Sequence, residues 1–147
     1  MCEVCLEVPV DSTRVGERWR VDPHELGRRG EAVAQRSLLA RGWQVLGKNW
    51  RTGFGEVDII AIDPDARLGT VSLIEVKTRL EGDDGEEILP EMAVDDRRQR
   101  RYLNAANLFL QANDWASVVR FDVIAITVSK DGVAHLHHVK DAYGIDG

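Results

Sequence analysis

Two kinds of hydrophobic spacing alternate along this chain. Apolar residues recur every three to four positions at 24–41 and 91–113, and short runs rich in Val and Ile stand apart from them. The first spacing is typical of helices with one buried face, and the second is typical of strands. The predicted strands are 43–46, 56–63, 70–78, 118–128 and 132–139.

The order of these elements is helix, three strands, helix and two strands. This order predicts an α/β domain with a mixed central β-sheet flanked by helices. Gly42 stands where a helix commonly stops in a left-handed residue. Residues 1–23 show no sustained periodicity, so we expect a poorly ordered N-terminal extension before a single domain at 24–147.

The charge of the chain is acidic and unevenly distributed. The 147 residues include 19 Lys and Arg against 25 Asp and Glu, a formal net charge of −6. Proteins that bind phosphate usually carry a basic surplus, so this balance argues against simple nucleic-acid binding. All of the surplus lies at 81–91, which has six acidic and no basic residues. Such a run is usually a solvated loop, and a cation-binding role is the alternative.

The N-terminus and the hydropathy pattern predict a cytoplasmic protein that does not enter membranes. No apolar run approaches the roughly 20 residues of a membrane span, and the first residues lack the layout of a signal peptide. Cys2 and Cys5 form a C-x-x-C motif that two thiolates alone cannot turn into a tetrahedral zinc site. We expect both cysteines to be incidental.

The informative residues are charged groups inside apolar strands. Burial of such groups is costly unless they are paired or bind a metal. Strand alternation places Glu75 and Lys77 on one side of their strand, and Glu56 and Asp58 on one side of theirs. If the two strands pair as a hairpin, three carboxylates and one amine converge. That set suits Mg²⁺, which takes one or two carboxylates and completes its shell with water and phosphate oxygens.

Glu31 is a fourth carboxylate that the first helix can add to this patch. Gly27, Gly30 and Ala34 lie near it on the helix and would permit a close approach to the sheet. A lone Glu-x-Lys is usually a solvent-facing ion pair. The combination with Asp58 and Glu31 favours a functional site instead.

Five short motifs carry a resemblance to a known family. They are Gly30-Glu31, Lys48-Asn49-Trp50-Arg51, Gly55-Glu56-Val57-Asp58-Ile59-Ile60, Glu75-Val76-Lys77-Thr78-Arg79 and Arg120-Phe121-Asp122-Val123. In this order they resemble the YraN-like uncharacterised protein family over about residues 25–139. That family is similar to the restriction-endonuclease-like PD-(D/E)xK nucleases and to archaeal Holliday-junction resolvases.

The resemblance implies an endonuclease-like domain with a site for Mg²⁺ or Mn²⁺. It assigns Glu31 as the helix carboxylate, Asp58 and Glu75 as metal ligands and Lys77 as the catalytic amine. Val76 would offer its backbone carbonyl to the metal. In such a site the cation polarises the scissile phosphate and activates water, while the amine orients or deprotonates that water.

Several other polar residues are each consistent with two roles. Glu56 is either a further ligand or the partner of a nearby arginine. Asn49 and Arg51 either hold a phosphate or fix a turn, and Arg79 is a candidate contact to the nucleic-acid backbone. For Asp122, a hydrogen bond to a turn is favoured over metal ligation.

The second helix contains a dense basic cluster at Arg97, Arg98, Arg100 and Arg101. Four arginines in five positions cannot share one helix face, and a solvated face is the alternative to nucleic-acid contact through Arg97 and Arg101. The family often has a lysine in this helix, and its preceding connection is usually less acidic.

The resulting hypothesis is a metal-dependent endonuclease that hydrolyses DNA phosphodiester bonds, in branched or damaged DNA. The alternative is a non-catalytic nucleic-acid-binding or protein-interaction module that retains the nuclease fold. A homodimer is expected only by analogy with the junction resolvases.

Overall fold

The computed structural model describes residues 2–8, 22–81, 96–130 and 133–142. In these ranges the chain forms two helices and six strands. In chain order they are β1 (Cys2–Val8), α1 (Pro23–Ala40), β2 (Gln44–Thr52), β3 (Gly55–Ile62), β4 (Thr70–Leu80), α2 (Asp96–Ala112), β5 (Val118–Val128) and β6 (Ala134–Lys140). Neither of these helices is long and apolar enough to cross a membrane.

The strands form one mixed sheet with the order β1-β6-β5-β4-β3-β2. Strands β4 and β5 run parallel, because the chain crosses back through α2 between them, and the other neighbours are antiparallel. The predicted mixed α/β sheet is confirmed, and nothing in it conflicts with a restriction-endonuclease-like fold.

Each face of the sheet is covered by one helix. Val33, Ala34 and Leu38 of α1 pack with Ile74 and Ile124 on one face. On the other face, the predicted stripe of α2 packs against β4 and β5 through Tyr102, Ala105, Ala106 and Phe109. The site-bearing strands therefore lie between two apolar layers, so a charged group among them is partly desolvated.

Helix α1 begins and ends as its sequence predicts. The Asp22 side chain accepts a hydrogen bond from the Glu25 N–H at 2.9 Å, and Pro23 occupies the first turn. Gly42 has φ +85°, a left-handed conformation that favours glycine after a helix. These local signals place the helix within one residue of the predicted bounds.

The sequence predicted no strand before residue 24, and the structure corrects this. Strand β1 pairs antiparallel with β6 from Cys2↔Lys140 to Val8↔Ala134. Cys2 and Cys5 thus lie in a strand and not in an irregular tail. Residues 9–21 lie outside the described ranges, so the domain boundary at 23 stays a prediction.

Two further strand predictions were wrong in detail. Strand β2 extends to Thr52, six residues past the predicted end, because it is an edge strand in which polar residues alternate with half-buried ones. Strand β6, predicted to be the more exposed, buries His138 and Val139 fully. It is an inner strand of the sheet, paired with β1 and β5, and His138 lies against Trp43 and Asp122. The start of the second helical prediction, 91–95, falls outside the described residues, as does most of the acidic run at 81–91.

Candidate active site

The site lies where β3 and β4 separate. Their ladder runs only from Ile59↔Ile74 to Ala61↔Ser72. Past its end, the Asp58 carboxylate accepts a hydrogen bond from the Val76 backbone N–H at 2.7 Å. The Asp58 side chain therefore lies in the gap between the strands. It accepts the Val76 N–H bond that the backbone of β3 no longer provides.

Glu75 and Lys77 lie on the other side of this gap. Lys77 Nζ is 2.9 Å from Glu75 Oε1, and 41% of the Lys77 side chain is exposed against 11% of the Glu75 side chain. The side chains of Glu75 and Lys77 therefore lie on the same side of β4, as the alternation along a strand predicts. The amine is held beside a nearly buried carboxylate and still reaches solvent.

Glu31 joins the cluster because α1 packs tightly on β4. A Cβ atom at Gly30 would lie 1.7 Å from Thr78 Oγ1, so only glycine permits this approach. The neighbouring Ala34 is buried as expected, whereas Gly27 has open space around it. The prediction of a close helix is confirmed at Gly30, and Gly27 contributes nothing to it.

The electrostatics show that the carboxylates repel one another. Burial raises the pKa of Glu31 to about 7, and the neighbouring charges of Asp58 and Glu56 add to the increase. Burial also raises the pKa of Asp58 to about 6 against the opposing hydrogen bond from Val76, with further contributions from Glu75 and Glu56. Such raised pKa values indicate a concentration of negative charge that a cation would relieve.

Asn49 ties two of these carboxylates together. With its amide nitrogen turned toward them, it donates to Glu31 Oε2 at 3.1 Å and to Glu56 Oε1 at 2.9 Å. Its backbone has φ +52°, a conformation that Asn tolerates better than most residues. These contacts favour a structural role for Asn49 over the alternative of holding a phosphate.

Glu56 is opposite Arg51 across the hairpin formed by β2 and β3. Arg51 Nε is 3.9 Å from Glu56 Oε2, and 84% of the Arg51 side chain is exposed. Of the two roles left open for Glu56, this geometry favours the partner of an arginine. Arg51 remains accessible for a phosphate contact.

A pocket beside the carboxylates brings in α2. Its lining includes Glu56, Glu75, Arg101 and Tyr102. Arg101 also lies against the β2–β3 hairpin, with its Cδ 3.8 Å from where a Cβ on Gly55 would be. Of the predicted nucleic-acid contacts, the structure thus brings Arg101 to the site.

Arg97 and Arg79 occupy more peripheral positions. Arg97 is exposed on the first turn of α2, and Arg79 is half-buried near the end of β4. Arg100 and Arg101 are exposed as well, so these three arginines lie on the solvent-facing side of α2. Nucleic-acid contact by Arg79 and Arg97 stays a prediction.

The chemistry of the donor set fits a hard divalent cation. Asp58 and Glu75 supply carboxylate oxygens from two neighbouring strands, and Mg²⁺ needs only one or two such ligands. Within the described ranges, no group of three or more His, Cys, Asp and Glu side chains is arranged to hold one metal ion. A site here would thus rely on water and substrate oxygens, and ligation by the Val76 carbonyl stays a prediction.

Asp122 has a structural role. It accepts hydrogen bonds from the Asp141 backbone N–H in the turn that follows β6, from Arg120 and from the buried His138. The predicted bond to a turn is therefore confirmed. The sequence did not identify the surrounding network, although an Arg-x-Asp in β5 facing a histidine-rich strand was an available signal.

The fold and the site define a class: a mixed-sheet α/β protein in which carboxylates and one lysine converge where two neighbouring strands separate. Comparison of the sequence with known proteins identifies the family. It belongs to the uncharacterised protein family UPF0102, whose model matches residues 30–126, so the YraN-like resemblance is confirmed. This range contains Glu31, Asp58, Glu75 and Lys77.

Individual relatives match over most of their length. A UPF0102 protein of Mycolicibacterium smegmatis is 44% identical over 117 residues, which cover 78% of this chain and 90% of that protein. One from Thermodesulfovibrio yellowstonii is 38% identical over 119 residues, covering 81% and 96%. One from Chlorobium chlorochromatii is 35% identical over 127 residues, covering 83% and 93%.

Proposed function

We propose that this protein is an endonuclease that hydrolyses phosphodiester bonds of DNA with Mg²⁺ or Mn²⁺. The observation that carries the proposal is the convergence of Glu31, Asp58 and Glu75 with Lys77 in the gap between β3 and β4. The motif resemblance to PD-(D/E)xK nucleases supports the same reaction.

Asp58 and Glu75 would hold the cation. When bound, it would supply Lewis-acid polarisation of the scissile phosphate and a lower pKa for a nearby water. Asp58 is fixed for this task by the Val76 N–H, and Glu75 by its ion pair with Lys77. Glu31 is a third negative group whose raised pKa lets it bind or release a proton near neutrality.

Lys77 is the residue that would act on the attacking water. Its ammonium group is partly exposed and lies next to a proposed ligand, so it can orient the water and offset negative charge on the transition state. In the reaction, a bond forms between the water oxygen and phosphorus. The bond from phosphorus to one ester oxygen breaks, and that oxygen leaves with a proton.

The acidic net charge does not oppose this function. It comes from the run at 81–91, and a divalent cation would partly neutralise the carboxylates of the site. Arg51 and Arg101 flank those carboxylates and are exposed. We therefore expect DNA binding that is weak without the metal and strengthened by it.

The test is a cleavage screen of linear, flapped, four-way and single-stranded DNA with Mg²⁺ and with Mn²⁺. We expect nicking by the wild type and a loss of about 100-fold or more in Asp58→Ala and Lys77→Ala. Lys130→Ala is the matched control, because Lys130 is exposed in the connection between β5 and β6. Circular dichroism would verify that each variant is folded.

Full activity in folded Asp58→Ala or Lys77→Ala would contradict the proposed mechanism. If no DNA is cut and calorimetry detects no Mg²⁺ or Mn²⁺ binding up to millimolar concentration, the non-catalytic binding module is the better description. A homodimer stays a prediction that sedimentation would check.

A further inference from the structure

An exposed aromatic ring stands at the tip of the β2–β3 hairpin. Thr52 pairs with Gly55, so Gly53 and Phe54 form the connection. Phe54 is 43% exposed, although such tips are usually occupied by polar residues or glycine. A large apolar side chain that is left half in solvent is available to a ligand.

The backbone that presents Phe54 is braced. The Phe54 N–H donates to Thr52 Oγ1 at 3.0 Å, and the Thr52 hydroxyl donates to the Gly55 carbonyl at 3.0 Å. Gly55 itself has φ +136°, a conformation that a residue with a Cβ rarely adopts. The tip therefore holds Phe54 in a defined place, which reduces the entropy lost when a ligand contacts the ring.

Phe54 lines the same pocket as Glu75, one of the two proposed metal ligands. That pocket is lined by Phe54, Glu56, Glu75 and Arg101, among others. An aromatic face next to an arginine and acidic residues suits a nucleotide whose base stacks on the ring while its phosphate meets the cationic groups.

We propose that Phe54 stacks on an unpaired DNA base beside the scissile phosphate, so that the site selects DNA with an unpaired nucleotide there. This inference rests on the proposed function. A base inside intact duplex is already stacked on its neighbours and would have to be extruded at a cost, whereas a base at a flap, branch or single strand is free to stack. The ring thus favours the second kind of substrate.

The experiment compares kcat/KM on a flapped DNA and on an intact duplex of the same sequence. Wild type is expected to prefer the flap by about tenfold or more. Phe54→Ala should lower flap cleavage about tenfold and duplex cleavage by much less, whereas Phe54→Tyr should retain the preference. Leu68→Ala is the matched control, because Leu68 is a fully exposed apolar residue in the β3–β4 connection.

A second readout reports stacking without cleavage. With Ca²⁺ in place of Mg²⁺, a 2-aminopurine at the unpaired position should be quenched by wild type and by Phe54→Tyr, but not by Phe54→Ala. A residue that only supported the fold would lower the melting temperature of Phe54→Ala and affect both substrates equally.

The outcomes separate this inference from the proposed function. If Phe54→Ala loses cleavage equally on both substrates, the stacking role is overturned and the nuclease function stands. The same holds if the wild type cleaves DNA but does not quench 2-aminopurine. Quenching that depends on Phe54 with no cleavage of any DNA supports the stacking and refutes the hydrolysis. If the wild type shows no cleavage and no quenching, both the hydrolysis and the stacking are refuted.

Discussion

Asp58 both stabilises and destabilises the folded protein. Its carboxylate satisfies the Val76 N–H, yet burial and the neighbouring Glu75 and Glu56 disfavour its charge. Such a cluster of like charges destabilises the folded protein, and the cation of the proposed function would relieve the repulsion. Asn49 reduces that repulsion by donating to two of the carboxylates.

We therefore predict that Asp58→Asn stabilises the metal-free protein at pH 8 by about 1–3 kcal/mol, because burial and the nearby carboxylates raise the pKa of Asp58 to about 6. The asparagine oxygen can still accept from Val76. The pKa of Asp58 is higher in the folded than in the unfolded protein. Its contribution to stability is therefore complete below about pH 4 and is lost as the pH rises through about 6. The gain should accordingly vanish near pH 4, as measured by urea unfolding.

Asp58→Ala is the control for the hydrogen bond. It removes the repulsion and also leaves the Val76 N–H without its acceptor, a loss of about 1–3 kcal/mol. It should therefore be less stable than Asp58→Asn at every pH. Equal stability of the two variants would show that the bond from Val76 contributes little.

At the scale of elements, the approach of α1 to β4 determines whether Glu31 reaches the site. That approach depends on the absence of a side chain at Gly30, where Thr78 fills the space. Gly27 lies three residues earlier on the same helix and meets no neighbour. The two glycines look alike in the sequence and differ only in what faces them.

Gly30→Ala should destabilise the protein by about 1–3 kcal/mol, because the added methyl group forces α1 away from Thr78. The displacement would also move Glu31 and weaken metal binding. Gly27→Ala should be neutral or stabilise by up to about 1 kcal/mol, since alanine favours a helix over glycine. Thermal unfolding and Mn²⁺ calorimetry measure the two effects, and equal values for both variants would contradict the close packing.

At the scale of the whole molecule, a second polar network joins distant parts of the chain. Arg120 bonds to Asp63 and Asp122, Lys140 pairs with Asp63, and His138 Nε2 lies 2.9 Å from Asp122. It thereby links the end of β3 to β5 and β6. It shares no residue with the proposed catalytic groups, and its contacts hold these strands together.

The network predicts loss of stability in acid. Burial lowers the pKa of His138 and outweighs its bond to Asp122, while Arg41 Nη2 lies 3.0 Å from His138 Nδ1 and opposes a proton there. Burial alone would raise the pKa of Asp122, but bonds from His138 and Arg120 hold it below its usual value. Because both pKa values are lowered, His138 and Asp122 contribute stability at neutral pH, and this contribution declines as the pH falls.

The two groups act in different pH windows. The contribution of His138 is lost from about pH 6.5 downward, and that of Asp122 from about pH 4 downward. His138→Gln should be less stable at pH 7.5 and should flatten the decline between pH 6.5 and 5, as followed by urea unfolding. His135→Gln, at an exposed position of the same strand, should leave the profile unchanged. A profile that is unaltered in His138→Gln would exclude the histidine as its cause.

The sequence by itself determined the elements with strong local signals and supplied the candidate site residues. Strand β5 was predicted at both ends because it is a continuous apolar run, and α1 was predicted because its cap and apolar spacing are local. Glu75 and Lys77 were placed together because alternation along a strand is a property of the backbone. The order of the motifs identified the family.

Only the tertiary structure decided how these residues meet. Three features depend on partners far away in the chain: the separation of β3 from β4, the pairing of β6 with β1, and the contact of Gly30 with Thr78. The same holds for the proximity of Phe54 and Arg101 to Glu75. Local patterns report which face of an element is apolar, whereas register and close approach follow from packing between elements, which a single sequence does not specify.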